Sequence, residues 1–388
     1  MNLSFRSILK VCVTSTLLLV FMMRKRFSLT KISSEQRLQA DLHTSAIIKL
    51  PAKLRKSYQD DGFVVLPKVV PQDAAEELRS LLEKQQDLQQ KEMNIFRSKL
   101  SSVSKTTFLT SAYFQPIADV LFTSRIAEAL RSLLQAQRLY HFFDALYIKF
   151  PKENGGFWHR DYPVARNAQN WDDMVSAWMP LVHLKGDING GSMVLARGSH
   201  KWPLEEGCTG LDHIGGEIVH EDWEGYEECM GRLDAASVVL PSLAPGDLVV
   251  FHPGLFHRTS SSQDLDVPRM ALSLVAITEK AKFRVDQSDF RCSVKALAIF
   301  ALEEEASDRL DQAEGHSLYL ADFDGIFPEL VPENVMKGPG VIRSYYENPV
   351  VQSRCLRYIL TTSLLSCGMQ RWRGEIPHTY AASRSTQA

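Results

Sequence analysis

Residues 157–163 read FWHRDYP, with an imidazole at His159 and a carboxylate at Asp161. In an extended strand, residues i and i+2 point to the same face, so both side chains converge on one point in space. Such a pair suits a metal ion, an ion pair or no ligand at all. The spacing by itself does not choose.

Further along, VVFHPGLFHRTSS carries His252 and His257, and PRMALSLVAI opens close to Arg269. Two neutral imidazoles and one carboxylate on three corners of an octahedron form the facial triad of non-haem Fe(II) oxygenases, which leaves three positions open. That chemistry uses every opening: a bidentate 2-oxo acid fills two and dioxygen the third. It also needs a cation for the far carboxylate of the 2-oxo acid, and a guanidinium grips a carboxylate with two parallel hydrogen bonds. A His-x-Asp, a His about 100 residues later and an Arg about 12 beyond that supply every part.

Strands must position these residues. From about Leu139 the chain breaks into short apolar, β-branched or aromatic runs divided by Gly, Pro and Asn: YHFFDALYIKFP, VSAWMPLVHL, GGSMVLARGSH, PGDLVVFHPG and RMALSLVAI. No helix-period pattern separates them, which points to an antiparallel sandwich or small barrel rather than a parallel βαβ sheet. Upstream, a polar turn precedes a strand at Phe63–Leu66, and Pro71 opens a helix with an apolar side at Leu78, Leu81, Leu82 and Leu88. A second helix is predicted from Pro116 towards Gln135. Lys201–Leu243 reads as a long irregular stretch, of the kind that forms lids or substrate walls. After about Lys282 the strand pattern stops; EEEASDRLDQAE reads as a solvated acidic helix, and a more basic tail follows.

His-x-Asp alone is a weak signal. In order along the chain, however, DGFVVLP, WHRD, SAWMPL, NGGSMVLARGSHK, GDLVVFHPGLFHRTS and PRMALS resemble the phytanoyl-CoA dioxygenase family of Fe(II)/2-oxoglutarate oxygenases, over roughly residues 57–280. The resemblance implies a mainly β fold with flanking helices around a double-stranded β-helix, a jelly-roll or cupin-like core. It implies that His159, Asp161 and His257 bind iron between two sheets and are the catalytic centre, leaving His252 as a hydrogen-bonded bystander. Arg269 looks like the residue that holds the far carboxylate of 2-oxoglutarate, with Ser273 on the same strand face. The match extends the co-substrate contacts to Trp178, Thr259 and Lys149. The implied cofactors are Fe(II), 2-oxoglutarate as co-substrate, and dioxygen. The implied reaction is oxidation, foremost hydroxylation, of an unactivated C–H bond in a small organic metabolite or acyl thioester, with succinate and carbon dioxide released.

Three departures stand out. Arg160 occupies the middle of the His-x-Asp, where the family commonly has Gln, and its side chain should point away from the ligands. The step from His257 to Arg269 is about one residue longer than the family's. Residues 201–243 and those beyond 282 have no family counterpart. Asp161 itself argues against a halogenase, which needs a small residue there. Two other readings stay open: a metal-binding, non-catalytic member of the fold, and a metalloenzyme that does not use 2-oxoglutarate.

Composition bounds the rest. The 388 residues suffice for a large core, and a formal net charge of −2 without a basic stripe gives no reason to expect nucleic acid as a partner. The partner expected is a small-molecule substrate. Six scattered cysteines with no CxxC pair argue against a zinc ribbon and weakly for a reducing compartment. Residues 1–34 differ in kind: no acid precedes Glu35, and Val11–Met23 is an apolar run of about 13 residues, short of the roughly 20 that span a bilayer. This segment reads as a targeting or membrane-anchor element, with residues 8–23 suited to membrane association and a mitochondrial, plastid or endomembrane location. Residues 57–282 then form the dioxygenase domain, and 283–388 a C-terminal extension of unknown role.

Overall fold

The computed structural model describes residues 38, 42, 49–93, 105–108, 110–112, 114–161, 171–202, 208, 225–284, 317–319 and 329–330. The predicted N-terminal segment and the acidic helix after Lys282 lie outside them. Among the described residues, no helix is long and apolar enough to cross a membrane.

Helix α1 (Ala52–Asp61) ends at Gly62, whose N–H donates to the Tyr58 carbonyl at 2.9 Å and whose φ is +85°. Only glycine fits, because a Cβ there would stand 2.5 Å from Nδ1 of His200. Strand β1 (Phe63–Leu66) follows, as the sequence predicts. Helix α2 (Gln72–Met93) starts directly after Pro71, with Asp73 in its first turn and Leu78 and Leu82 buried. Strand β2 (Lys105–Phe108) comes next.

The single helix predicted from Pro116 is two: α3 (Gln115–Thr123) and α4 (Ile126–Leu134). Ser124 divides them. Its backbone is extended, its N–H closes α3 on the Val120 carbonyl, and its hydroxyl accepts from the Ile126 N–H at 3.3 Å. A serine hydroxyl competes for backbone partners in this way, and the apolar periodicity on either side conceals the break.

Strands β3 (Leu139–Lys149), β4 (Met174–Pro180) and β5 (Met193–Ala196) follow the predicted runs. The stretch expected to be irregular, 201–243, instead contains helix α5 (Tyr226–Ala236) and strand β6 (Ser237–Val239). Its Gly, Glu and Asp content hides a helix whose buried side amounts to Cys229 and Leu233. Then come β7 (Leu248–Phe251), β8 (His257–Thr259) and β9 (Arg269–Thr278). Strands do not stop at Lys282 as predicted: β10 (Lys282–Arg284) pairs with β11 (Ser317–Tyr319), and Leu330 is buried in the core. Three-residue strands leave too short an alternation to be seen in sequence.

The large sheet runs β1-β7-β4-β9-β3-β2 and the small one β6-β5-β8, with all pairings antiparallel. Alternate residues separate two cores. Val64, Ala177, Val250 and Leu272 face out and pack with Leu78, Ile117 and Leu130 of the helices. Phe63, Trp178, Val249, Phe251 and Ala271 face in, against Met193 and Leu195 of the small sheet. With both faces covered, central strands read as unbroken apolar runs, which is why β4 is buried throughout. The outer side of the small sheet is closed by α5 through Trp158, Phe256, Leu233 and Cys229. There Cys208 and Cys229 form a disulfide. That corrects the reading of the cysteines as scattered thiols: their separation in sequence gave no motif, and the fold brings them together.

Candidate metal centre

His159 belongs to no long strand. It is bridged to His257 at the start of β8 by two hydrogen bonds, His159 N–H to the His257 carbonyl at 3.0 Å and the reverse at 2.8 Å. The same segment continues with Gly156 N–H to the Thr259 carbonyl (2.8 Å) and Asp161 N–H to the Pro253 carbonyl (2.9 Å). Gly156 allows this close approach, since a Cβ would lie 2.8 Å from the Thr259 hydroxyl. The His-x-Asp segment therefore runs antiparallel beside the second histidine, so residues about 100 apart in sequence become direct neighbours.

The period of two then sorts the side chains. His159 and His257 project to one side with ring centroids 4.2 Å apart, and Oδ1 of Asp161 lies 3.6 Å from Nε2 of His257. One donor atom from each of the three residues falls within 4.8 Å of the others. Trp158 and Arg160 point the opposite way, into the outer cluster, where the Arg160 guanidinium sits 4.4 Å from the Phe256 ring centroid.

The donor set fits a divalent metal. Nδ1 of each imidazole lies 3.0 Å from the carbonyl two residues before it, Phe157 for His159 and Leu255 for His257. A carbonyl only accepts, so each Nδ1 carries the hydrogen and each Nε2 keeps a lone pair for the centre. Burial and then the neighbouring His159 hold His257 below the usual imidazole value, against the opposing pull of Asp161, and favour the neutral ligand form. Asp161 is held from its other side: the Ser176 hydroxyl donates to Oδ2 at 2.5 Å.

Of the residues expected to contact a co-substrate, Arg269, Ser273, Trp178 and Lys149 lie on the inner face of the large sheet, and Thr259 ends β8 of the small one. Arg269, first in β9, is 2 % exposed, and neither its Nε nor its Nη1 has a hydrogen-bond partner. Its guanidinium carbon is 5.5 Å from the Trp178 ring centroid, and burial pushes its pKa down to about 10. A buried cation with free donors is what a dicarboxylate would satisfy. Ser273 lies four residues along β9, in register with Trp178. Lys149 is buried rather than solvated, directly opposite Arg269 in register. Its ammonium donates to the carbonyls of Asn154 and Ser260, the latter at 2.9 Å, and reaches the Thr259 hydroxyl at 3.4 Å.

His252 is kept apart. Its Nδ1 accepts from the Gly254 N–H at 3.0 Å and its Nε2 lies 3.2 Å from a carboxylate oxygen of Asp172.

Two residues escaped the sequence reading. Ser176 is one. Tyr147 is the other, two residues before Lys149 on the same face, with its hydroxyl pushed up by burial and next by Asp161, while Arg269 opposes. Counting back by two along β3 from Lys149, or along β4 from Trp178, would have found both.

No curated protein matches the chain by sequence. Among solved structures, it resembles the non-haem α-ketoglutarate-dependent carbocyclase SnoK from nogalamycin biosynthesis, at 16% identity and TM-score 0.51, covering 74% of this chain and 99% of that one. That likeness shows a shared fold, a double-stranded β-helix core. The epimerase SnoN, solved with Fe3+, α-ketoglutarate and nogalamycin RO, aligns at 20% identity and TM-score 0.49, covering 72% and 97% of the two chains. EctD from S. alaskensis with bound Fe aligns at 18% identity and TM-score 0.46, covering 64% and 83%. The family model described as phytanoyl-CoA dioxygenase matches residues 58–271, more than half of the chain and every residue of the centre except Ser273. The chain belongs to the phytanoyl-CoA dioxygenase family.

Proposed function

We propose that this chain is an Fe(II)- and 2-oxoglutarate-dependent dioxygenase that hydroxylates a C–H bond of a small organic substrate. The observation that carries the reading is the pairing of a three-donor centre with the buried Arg269, whose Nε and Nη1 lack hydrogen-bond partners. His159, Asp161 and His257 would hold the iron, and Arg269 the far carboxylate of 2-oxoglutarate. When bound, iron with 2-oxoglutarate and dioxygen supplies the oxidant for an unactivated C–H bond and releases succinate and carbon dioxide. The chain's own residues orient and shield. Nδ1–H bonds to Phe157 and Leu255 fix both imidazoles, Lys149 ties the 154 and 260 segments beside Arg269, and Phe251, 4.7 Å from His257 by ring centroids, excludes water on the sheet side.

Succinate release, assayed over acyl-CoA thioesters, amino-acid-like metabolites and polycyclic scaffolds, tests this reading. At least one class should give succinate in step with a product heavier by one oxygen, and His257→Ala should abolish both. Succinate release that persists in His257→Ala would sink the proposal.

We infer further that the domain matures in an endomembrane compartment. The buried Cys208–Cys229 disulfide favours an oxidising environment over mitochondrial matrix or plastid stroma. The basic, acid-poor residues 1–34 would direct it there. Removing residues 1–34 should relocate the protein and leave turnover intact; an unchanged location would refute the targeting role.

A further inference from the structure

Ser176 lies in β4, where all seven residues are buried. Its backbone is in register with Phe251 on one side and Val275 on the other, so its position is fixed by two neighbouring strands. The inner-face neighbours Trp178 and Phe251 are apolar, and nothing in the packing calls for a hydroxyl at a site with no solvent exposure. A buried hydroxyl needs a partner, and this one finds Oδ2 of Asp161 at 2.5 Å. An ionised carboxylate only accepts, so Ser176 is the donor, and the bond is of the short, charge-assisted kind.

We propose that Ser176 is a positioning residue that commits one oxygen of Asp161 to the protein and leaves Oδ1, on the His257 side, as its single metal donor. The proposal rests on the metal-centre reading above. The physical need is a count of positions. Two imidazoles and a carboxylate bound through both oxygens would take four of six octahedral positions; a bidentate 2-oxo acid would fill the rest and leave none for dioxygen. With Oδ2 engaged by Ser176, the same three residues take three positions. Asp161 itself is held along the backbone by the bond to the Pro253 carbonyl. The serine supplies the rotational restraint that this backbone bond does not.

The test compares variants of equal shape with and without the donor, Ser176→Thr and Ser176→Val, alongside Ser176→Ala. Co(II) serves as the probe, added to purified apoprotein under a competing chelator and followed by visible absorption, with circular dichroism confirming the fold. Ser176→Val and Ser176→Ala should bind Co(II) about 10–100-fold more weakly, as loss of a partner behind a ligand usually does, and with an altered visible spectrum. Ser176→Thr should keep both affinity and spectrum near wild type. Wild-type affinity and spectrum in folded Ser176→Val would overturn the role of Ser176 alone. A wild-type protein that binds no Co(II) would overturn the metal centre as well, so the two failures are distinguishable.

Discussion

Lys149 and Arg269 face each other in register across β3 and β9, two buried cations side by side with opposite fates. The lysine ammonium is spent on backbone carbonyls, whereas Nε and Nη1 of the arginine meet no acceptor. On the proposed function, the arginine would meet the incoming anion and the lysine would belong to the frame around it.

Replacing Arg269 by Leu removes an unpaired buried charge, so the apoprotein should unfold no more easily than wild type. What should vanish is stabilisation by the co-substrate. Wild type with Mn(II) and 2-oxoglutarate at about 100 times its dissociation constant should gain about 2.7 kcal/mol, and the variant almost none at that concentration. Thermal unfolding with and without 2-oxoglutarate checks it; an equal gain in both proteins would show that Arg269 does not hold the co-substrate.

Lys149 makes a pH prediction. Burial first, and Arg269 next, push its folded value down to about 8 from the ordinary 10.5. Between those values the unfolded chain holds more protons than the folded one, so this group's contribution to stability improves as pH rises through the window. Below about 8 both states are protonated and the cost of the buried charge is fully present. Lys149→Met lacks this dependence. Subtracting its melting temperature from that of wild type at pH about 7 and about 10 should give a difference that shifts in favour of wild type at the higher pH. A difference that does not change with pH would place the ammonium in ordinary solvent.

The disulfide lies behind the ligand strand, packed with Trp158, the residue next to His159. Its 21-residue separation predicts a loss of about 3 kcal/mol for Cys208→Ser with Cys229→Ser. Alkylation of denatured protein followed by mass spectrometry should leave residues 208 and 229 unlabelled unless a reductant is added first. Full labelling without reductant would show two free thiols.

Much of the centre was legible because one rule, the period of two, acts over short distances. It placed His159 with Asp161 and turned Arg160 away, and the same rule put Ser273 on the face of Arg269. What stayed hidden depends on contacts between distant segments. The bond from Ser176 to Asp161 joins β4 to the His-x-Asp segment; the period of two puts that serine on the face of Trp178, but only the fold brings it to the carboxylate. The burial of Lys149 was hidden too, because its neighbours in sequence do not reveal the carbonyls that fold over it. The helix within 201–243 was hidden by polar composition, and the split at Ser124 by an apolar stripe that continues across it.

The most direct measurement is anaerobic addition of Fe(II) and 2-oxoglutarate to the purified chain, with the visible spectrum recorded before any oxygen is admitted. His159, Asp161, His257 and Arg269 in the arrangement described should give the broad charge-transfer band of an iron-bound 2-oxo acid. The band should be lost in Asp161→Ala and His257→Ala, and should need far more 2-oxoglutarate in Arg269→Leu. A wild-type protein without the band, or variants that keep it unchanged, would contradict the assignment of this centre.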